Sequence, residues 1–506
     1  MEFKVNNLGD PSKFWKYFEE ISKIPRCSGN EGQVRSYIEE RARSFHYKTK
    51  IDKTGNLLVS YNANRDTLKK KKKKIIFQAH LDMVCEKNKD ISHDFSTDPL
   101  SLKVIKKEGE EWLTAEGTTL GADNGVGIAY CLTIMNYLEN KKLEFNNIII
   151  DFLFTVEEEV GLTGAFNIKQ DFIEGDFLIN LDSEDDNKFT IGCAGGINTT
   201  GTLKLVFRKV NEFSKELVPI KLSIKGLIGG HSGVDINKGR ANAIKIISKI
   251  LWKINNKYGI YLSSLNGGNL SNAIPREAEA IFYCMEANKS AVLDFINHIN
   301  SEIELGISEI EPDMKIMPKP LERSNKKIIF PKDVSDKMLH LLYAMPNGPI
   351  SFHPKDPDLV YTSTNLASIK ISDEQLEIIT SQRSLHEISK TIIYEKIEAL
   401  FKLADLNIKI SHKGNYPSWE PNYDSRLLKI AKKSYKDLFH SESIVQIIHA
   451  GLETGILNKK LPEIEMISLG PNIQGGHSPD EKLQAKSVEK IWNFLYQLLK
   501  NLDTSN

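Results

Sequence analysis

The chain lacks an excess of charge of either sign, because Lys plus Arg and Asp plus Glu number 67 each in its 506 residues. With no net field there is no long-range pull toward nucleic acid, an anionic membrane or a polyanionic substrate, so partners must be read from local sites. Long apolar runs are also missing. The opening stretch MEFKVNNLGDPSKFWKYF has no apolar core of signal-peptide length, and nothing later approaches the roughly 18 uninterrupted apolar residues of a membrane span. A cytoplasmic location without a membrane partner is therefore expected. Cysteine is scarce too: Cys27, Cys85, Cys131, Cys193 and Cys284 are scattered, odd in number and without a CxxC pair. That pattern argues against a disulfide framework and against a thiolate metal site, and it predicts reduced, mostly buried thiols.

What is present suits a large globular protein. A hydrophobic fraction of 40% is ample for folding, and the length exceeds what one ordinary core serves, which predicts roughly two to four domains. The first part alternates strand-like and helix-like segments, as an α/β domain does. Residues 75–79 (IIFQA) read as a buried strand ending on His80, and residues 124–138 as a mostly buried helix after the turn GADNG. Residues 147–155 (NIIIDFLFT) and 176–181 (DFLINL) read as two further buried strands, running out into Glu157 to Glu159 and into Asp182.

The texture changes after the glycine-rich GCAGGINTTGT, where alternating segments such as LKLVF and IKLSI begin. A boundary is expected near residue 199, followed by an inserted α+β domain that includes a helix over residues 241–256 and ends near residue 407. Residues 464–469 (IEMISL) then read as a strand leading through a glycine-containing loop to His477. The expected fold is α/β: a split domain of residues 1–198 and 408–506, with a central mixed sheet flanked by helices, interrupted by an insert of residues 199–407. The run Lys69 to Lys74 could touch a phosphate backbone, but with balanced net charge it reads as a solvated loop and receives no role.

Five short elements carry chemistry. His80 and Asp82, two apart at the end of a strand, share a face, so the carboxylate could orient a metal-bound imidazole; taken alone, however, the two read first as a structural hydrogen-bonded pair. Glu157, Glu158 and Glu159 come directly after a core strand. Acidic runs are usually solvated, yet the carboxyl ends of core strands are where open α/β sheets form ligand crevices, and a cation would relieve the repulsion of adjacent carboxylates. Asp123 also reads as a helix cap, Asp182 as a loop-capping acid and His477 as an exposed loop histidine. Together the two histidines and three carboxylates form a two-metal inventory. If Asp123 bridges, one zinc takes His80 and Asp182 and the other Glu159 and His477, with a shared hydroxide completing four ligands on each. Glu158 is then left over as a general base.

In this order the elements HxD, a mid-domain Asp, EE-x-G, Asp and a terminal His resemble the zinc-dependent aminoacylase and carboxypeptidase superfamily. Within it, QAHLDMV, GADNGVGIA, FTVEEEVGLTGA, NLDSED, GCAGG, GGHSGVDI, NAIPREA, HAGLETG and GPNIQGGHSPDE are similar to the aminoacyl-histidine dipeptidase subfamily, over residues 78 to 481. The resemblance implies a zinc-peptidase catalytic domain with a lid insert, His80, Asp123, Glu159, Asp182 and His477 as ligands, Asp82 behind His80, and Glu158 as base. It further implies His231, Asn272 and Arg383 as substrate-binding residues from the lid. An aspartate at position 182 points to a dipeptidase rather than a carboxypeptidase. The implied cofactor is two Zn²⁺, with Mn²⁺ or Co²⁺ as substitutes, since histidine and carboxylate ligands accept all three. The implied substrate is a dipeptide, and a homodimer is compatible with the subfamily. Glu157 and Thr454 depart from the usual Asp and Cys, which leaves the ligands intact and bears on substrate preference. An N-acyl amino acid deacylase or tripeptidase, and a non-catalytic metal-binding protein, are the alternatives.

Overall fold

The structure, a computed structural model, describes residues 8–61, 72–212, 216–322, 328–372 and 374–505. Of the lysine run, Lys69 to Lys71 lie outside the described residues, while Lys73 and Lys74 open a strand and are tied by side-chain contacts to the carbonyl of Leu502 and to Asp151. The chain divides into two compact units. The first comprises Met1–Gly192, Trp419–Ile447 and Leu452–Asn506, and the second Cys193–Ser418 and Ile448–Gly451. These changeovers differ from those read from sequence at 198/199 and 407/408. The strands Gly195–Lys204 and Lys409–Tyr416 pair with each other inside the second sheet, so neither can be cut from it.

In the first unit, eight strands form a mixed sheet in the order Lys48–Ile51, Leu57–Ser60, Ile148–Thr155, Lys73–His80, Phe177–Asn180, Glu465–Ser468, Lys188–Cys193, Ile444–Ile448. The four adjacent strands at its centre run parallel. Parallel strands are covered on both faces and read as largely apolar runs, which is what IIFQA and IIIDFLFT supply, interrupted by the buried polar residues Gln78, Asp151 and Thr155. Every residue from Ile75 to His80 is buried. The Ala122–Glu139 helix is buried almost all round and packs with Ser12–Ser22 against this sheet, where Phe14, Phe18 and Tyr130 meet. Each such side chain contributes about 1.5–3 kcal/mol by leaving water. On the amphipathic C-terminal helix Ala485–Thr504, Phe494 stacks on Phe189.

The second unit is built on a nine-stranded sheet with antiparallel ladders. The helices Ala243–Tyr258, Lys289–Ile307, Lys332–Ala344 and Glu387–Leu403 contribute Ile250, Ile296, Leu339 and Ile397 to its core. Asn242 caps the first of these helices by accepting the N–H groups of Ile244 and Lys245.

The thiols correct one expectation. Cys131, Cys193 and Cys284 are free and buried, but Cys27 and Cys85 are joined in a disulfide. Residue 27 forms a bridge with Met83, which brings two cysteines 58 positions apart side by side. Sequence spacing carries no trace of that adjacency.

Candidate metal centre and the acids around it

Each of the four central strands delivers a side chain beyond its carboxyl end, the crevice position of an open α/β sheet. His80 closes the Lys73–His80 strand; Glu158 and Glu159 come after Thr155, Asp182 after Asn180, and His477 is reached by the loop after Ser468. Asp123 arrives from the helix that begins at Ala122, yet its φ/ψ is not helical and its side chain makes no cap. Its carboxylate instead lies between the two histidines. Oδ1 is 2.9 Å from His80 Nε2, and Oδ2 is 3.2 Å from His477 Nε2. His80 Nε2 also lies 3.2 Å from Asp182 Oδ1, and His477 Nε2 lies 3.1 Å from Glu159 Oε2. The five residues thus form two groups sharing Asp123. His477 is 53% exposed, so its ring is oriented by these acids and not by packing.

Asp82 is fully buried behind His80. Its carboxylate accepts from Ser28 Oγ at 2.7 Å and from the backbone N–H groups of Glu158 at 3.0 Å and Glu159 at 3.2 Å, and it lies 3.3 Å from His80 Nδ1. Burial alone would raise its pKa, but the contact with His80 and these donors outweigh burial and hold it at about 2. Asp82 therefore aims the imidazole and, through two backbone amides, fixes the start of the acidic run. Glu157 takes a positive φ of 52° there, turning the chain so that the next two N–H groups converge on Asp82.

The electrostatics register a deficit of positive charge. Burial opposes protonation of His80, but Asp182, Asp123 and Asp82 raise its pKa well above the usual value. Hydrogen bonds to Asp123 and Glu159 push His477 up to about 12. Burial followed by repulsion from Asp123 lifts Glu159 to about 7, and burial raises Glu158 far above the carboxylate range despite the pull of His80. The buried Glu159 Oε1 has no hydrogen-bond partner among the described residues. Imidazole and carboxylate donors converging with an orphaned buried oxygen fit divalent cations such as Zn²⁺, Mn²⁺ or Co²⁺. Among the described residues, His80, Asp123 and Glu159 present ligand atoms that all lie within 4.8 Å of one another.

Comparison with known proteins identifies the family. Residues 76–501 match the family described as Peptidase family M20/M25/M40. The chain belongs to that family. It is 36% identical over 501 residues to the cytosol non-specific dipeptidase of Escherichia coli (strain K12), covering 97% of this chain and 98% of the relative. The crystal structure of the aminoacylhistidine dipeptidase from Vibrio alginolyticus superposes with a TM-score of 0.79 at 32% identity, covering 99% of this chain and 98% of that one. A tripeptidase from Staphylococcus aureus, at 15% identity, TM-score 0.56 and coverage of 97% and 98%, shares the fold.

Around this M20 centre stand residues that sequence reasoning missed. Glu481, four positions after His477, is buried and accepts the N–H groups of Leu120 (2.8 Å), Gly121 (2.9 Å) and Asp123 (3.1 Å). Arg26, also buried, faces Glu481 and donates to the carbonyls of Leu81 and Asp82, and to that of Gly121. Beneath the centre, Glu453 accepts from Gln78 Nε2 at 2.7 Å and Thr155 Oγ1 at 2.6 Å, and burial raises it to about 7. None carries a signal in one sequence, because these roles arise from contacts between 55 and 375 positions apart.

The remaining expected residues lie in the second unit. His231 sits on the short strand Gly230–His231, paired with Ala273–Ile274. Its Nδ1 accepts the N–H groups of Gly233 and Val234 at 3.3 Å, so the neutral ring is assigned its proton on Nε2. That nitrogen stands 3.4 Å from Arg383 Nη2. Arg383 is only 6% exposed, and its Nε–H finds no acceptor among the described residues. The Nη2 and Nε2 nitrogens, 3.4 Å apart beside a buried guanidinium Nε–H without an acceptor among the described residues, form an arrangement an anion completes. Asn272 is adjacent to His231 through the backbone, its carbonyl accepting from Ser232, while its side chain is exposed.

Proposed function

We propose that the chain is a two-metal dipeptidase. The observation that carries the reading is Asp123 lying between the His80–Asp182 and Glu159–His477 groups, with Glu158 beside them. Near full-length similarity to a dipeptidase supports the substrate class. Two divalent cations on these five residues, zinc in the first instance, would polarise the scissile carbonyl and acidify a water when bound. Glu158 takes the proton of the attacking water and passes it to the leaving amine. Asp82 keeps His80 in one orientation. His231, through Nε2–H, is assigned to the developing oxyanion, Asn272 to the peptide, and Arg383 to the substrate's C-terminal carboxylate. No helix among the described residues is long and apolar enough to cross a membrane, and we assign the enzyme to the cytoplasm.

Glu158→Gln tests the mechanism. Turnover should be nearly abolished with the bound metal retained, and undiminished turnover would overturn the assignment. A panel of dipeptides, tripeptides and N-acetyl amino acids, run with metal analysis, separates a dipeptidase from a tripeptidase or deacylase.

A further inference from the structure

Four residues stand in register across four neighbouring strands of the second sheet: Ser363 opposite Arg383, Arg383 opposite Gly196, and Gly196 opposite Tyr416. Directly opposed residues of antiparallel strands point to one face. Arg383 and Tyr416 therefore flank Gly196 from strands whose backbones lie about 10 Å apart, twice the usual strand spacing. They meet above it, where Arg383 Nη1 donates to Tyr416 Oη at 2.8 Å. The meeting requires residue 196 to be glycine. A Cβ there would lie 2.5 Å from Tyr416 Cζ and 2.7 Å from Cε1, inside contact distance. Gly451 repeats the constraint, since a Cβ at 451 would lie 2.7 Å from Cε2. The phenol ring is thus cradled by two glycines, and neither has the positive φ that would explain glycine by backbone conformation.

The hydrogen bond decides which edge of the guanidinium remains available. With Nη1 committed to Tyr416, the side-on edge of Nε and Nη2 is left, the fork that binds a carboxylate bidentately. The buried Nε–H is the one without an acceptor among the described residues, and Nη2 is the one beside His231 Nε2. We propose that Tyr416 is the positioning residue for Arg383. Its hydroxyl turns the guanidinium so that the Nε/Nη2 edge meets the substrate's C-terminal carboxylate, and Gly196 and Gly451 are small so that the ring can lie where it does this. The proposal rests on the assignment of Arg383 to that carboxylate.

The test compares a dipeptide with its C-terminal amide in the metal-loaded enzyme. The readout is the ratio of kcat/KM for acid over amide in Arg383→Met, Tyr416→Phe, Gly196→Ala and the double variant Tyr416→Phe/Gly196→Ala. Losing one charge-assisted hydrogen bond should lower the ratio about tenfold in Tyr416→Phe, mainly through KM for the acid. Gly196→Ala should do the same by displacing the ring, and the double variant should fall no further than either single one. A ratio that falls in Arg383→Met but not in Tyr416→Phe overturns the proposal. So does an equal loss on acid and amide, the mark of a merely structural role. A ratio unchanged in Arg383→Met overturns the carboxylate assignment beneath it. Should Gly196→Ala fail to fold, Tyr416→Phe decides alone.

Discussion

The carboxylate of Glu481 accepts the backbone N–H of Asp123 at 3.1 Å. The same side chain holds Leu120 and Gly121, so the segment that supplies His477 also clamps the turn that supplies the carboxylate between the two histidines. The relative position of two candidate ligands separated by 354 residues is set by one acid and three amides.

Glu481→Gln keeps the size of that acid but removes its charge and one acceptor, leaving Arg26 without its leading counter-charge. A loss of about 1–3 kcal/mol is expected, the usual range for an unsatisfied buried polar group. The variant should also release metal faster. Urea midpoints and metal content after dialysis against a weak chelator measure the two effects. Unchanged metal retention would show that the clamp does not bear on the ligands.

Removing the metals should abolish turnover and lower the melting temperature together, because His80, Asp123, Glu159 and Asp182 would be left with uncompensated charge at close range. Adding back Zn²⁺, Mn²⁺ or Co²⁺ at about one hundred times its dissociation constant should restore about 2.7 kcal/mol per site. A chelated protein that keeps both its activity and its melting temperature would refute the two-metal reading.

Asp82→Asn withdraws the carboxylate beside His80 Nδ1 and weakens the bonds to the Glu158 and Glu159 amides. Metal affinity should fall about 10- to 100-fold, as for other carboxylates behind a ligating histidine. Competition titration against a chelating dye reads this directly, with no recourse to turnover.

His449 offers a pH test away from the metal ligands. It is buried against Ser363 Oγ at 2.7 Å, and burial followed by the charge of Arg383 lowers its pKa to about 3. The unfolded chain takes up this proton near pH 6.5 and the folded one does not. Stability from this residue is thus complete above pH 6.5 and is lost as pH falls from 6.5 toward 3. At pH 5 the loss is up to about 2 kcal/mol. Urea unfolding of wild type and His449→Gln at pH 7 and pH 5 should show the wild type losing that much more. Equal losses would show that His449 is not held neutral.

The parallel core was legible in the sequence because strands covered on both faces are predominantly apolar, and IIFQA, NIIIDFLFT, DFLINL and IEMISL are. Their ends also located the acids and histidines, since the residues just beyond such a strand open into the crevice. Three kinds of information were not legible. Asp123 invites a cap reading, but its non-helical backbone turns the carboxylate toward the histidines. Cys27 and Cys85 look unrelated until a bridge at Met83 aligns them. Glu481 and Tyr416 are one acid and one aromatic among many, and their roles come from cross-chain contacts and strand register that no local pattern encodes. The strand Gly195–Lys204 likewise runs through most of the glycine-rich stretch after which the change of texture was read, so local composition does not mark where the second unit starts.

The order of strands in the first sheet bears on how the molecule is made. Glu465–Ser468 lies between Phe177–Asn180 and Lys188–Cys193, which precede it by more than two hundred and seventy residues. A ribosome at roughly 5–20 residues per second leaves that slot empty for some tens of seconds. During this interval the flanking strand edges are exposed and His477 has not been synthesised. The nascent chain therefore passes through a stage in which its first half is long finished yet cannot close its sheet, and a chain cut short before residue 465 would retain the open edges that invite aggregation.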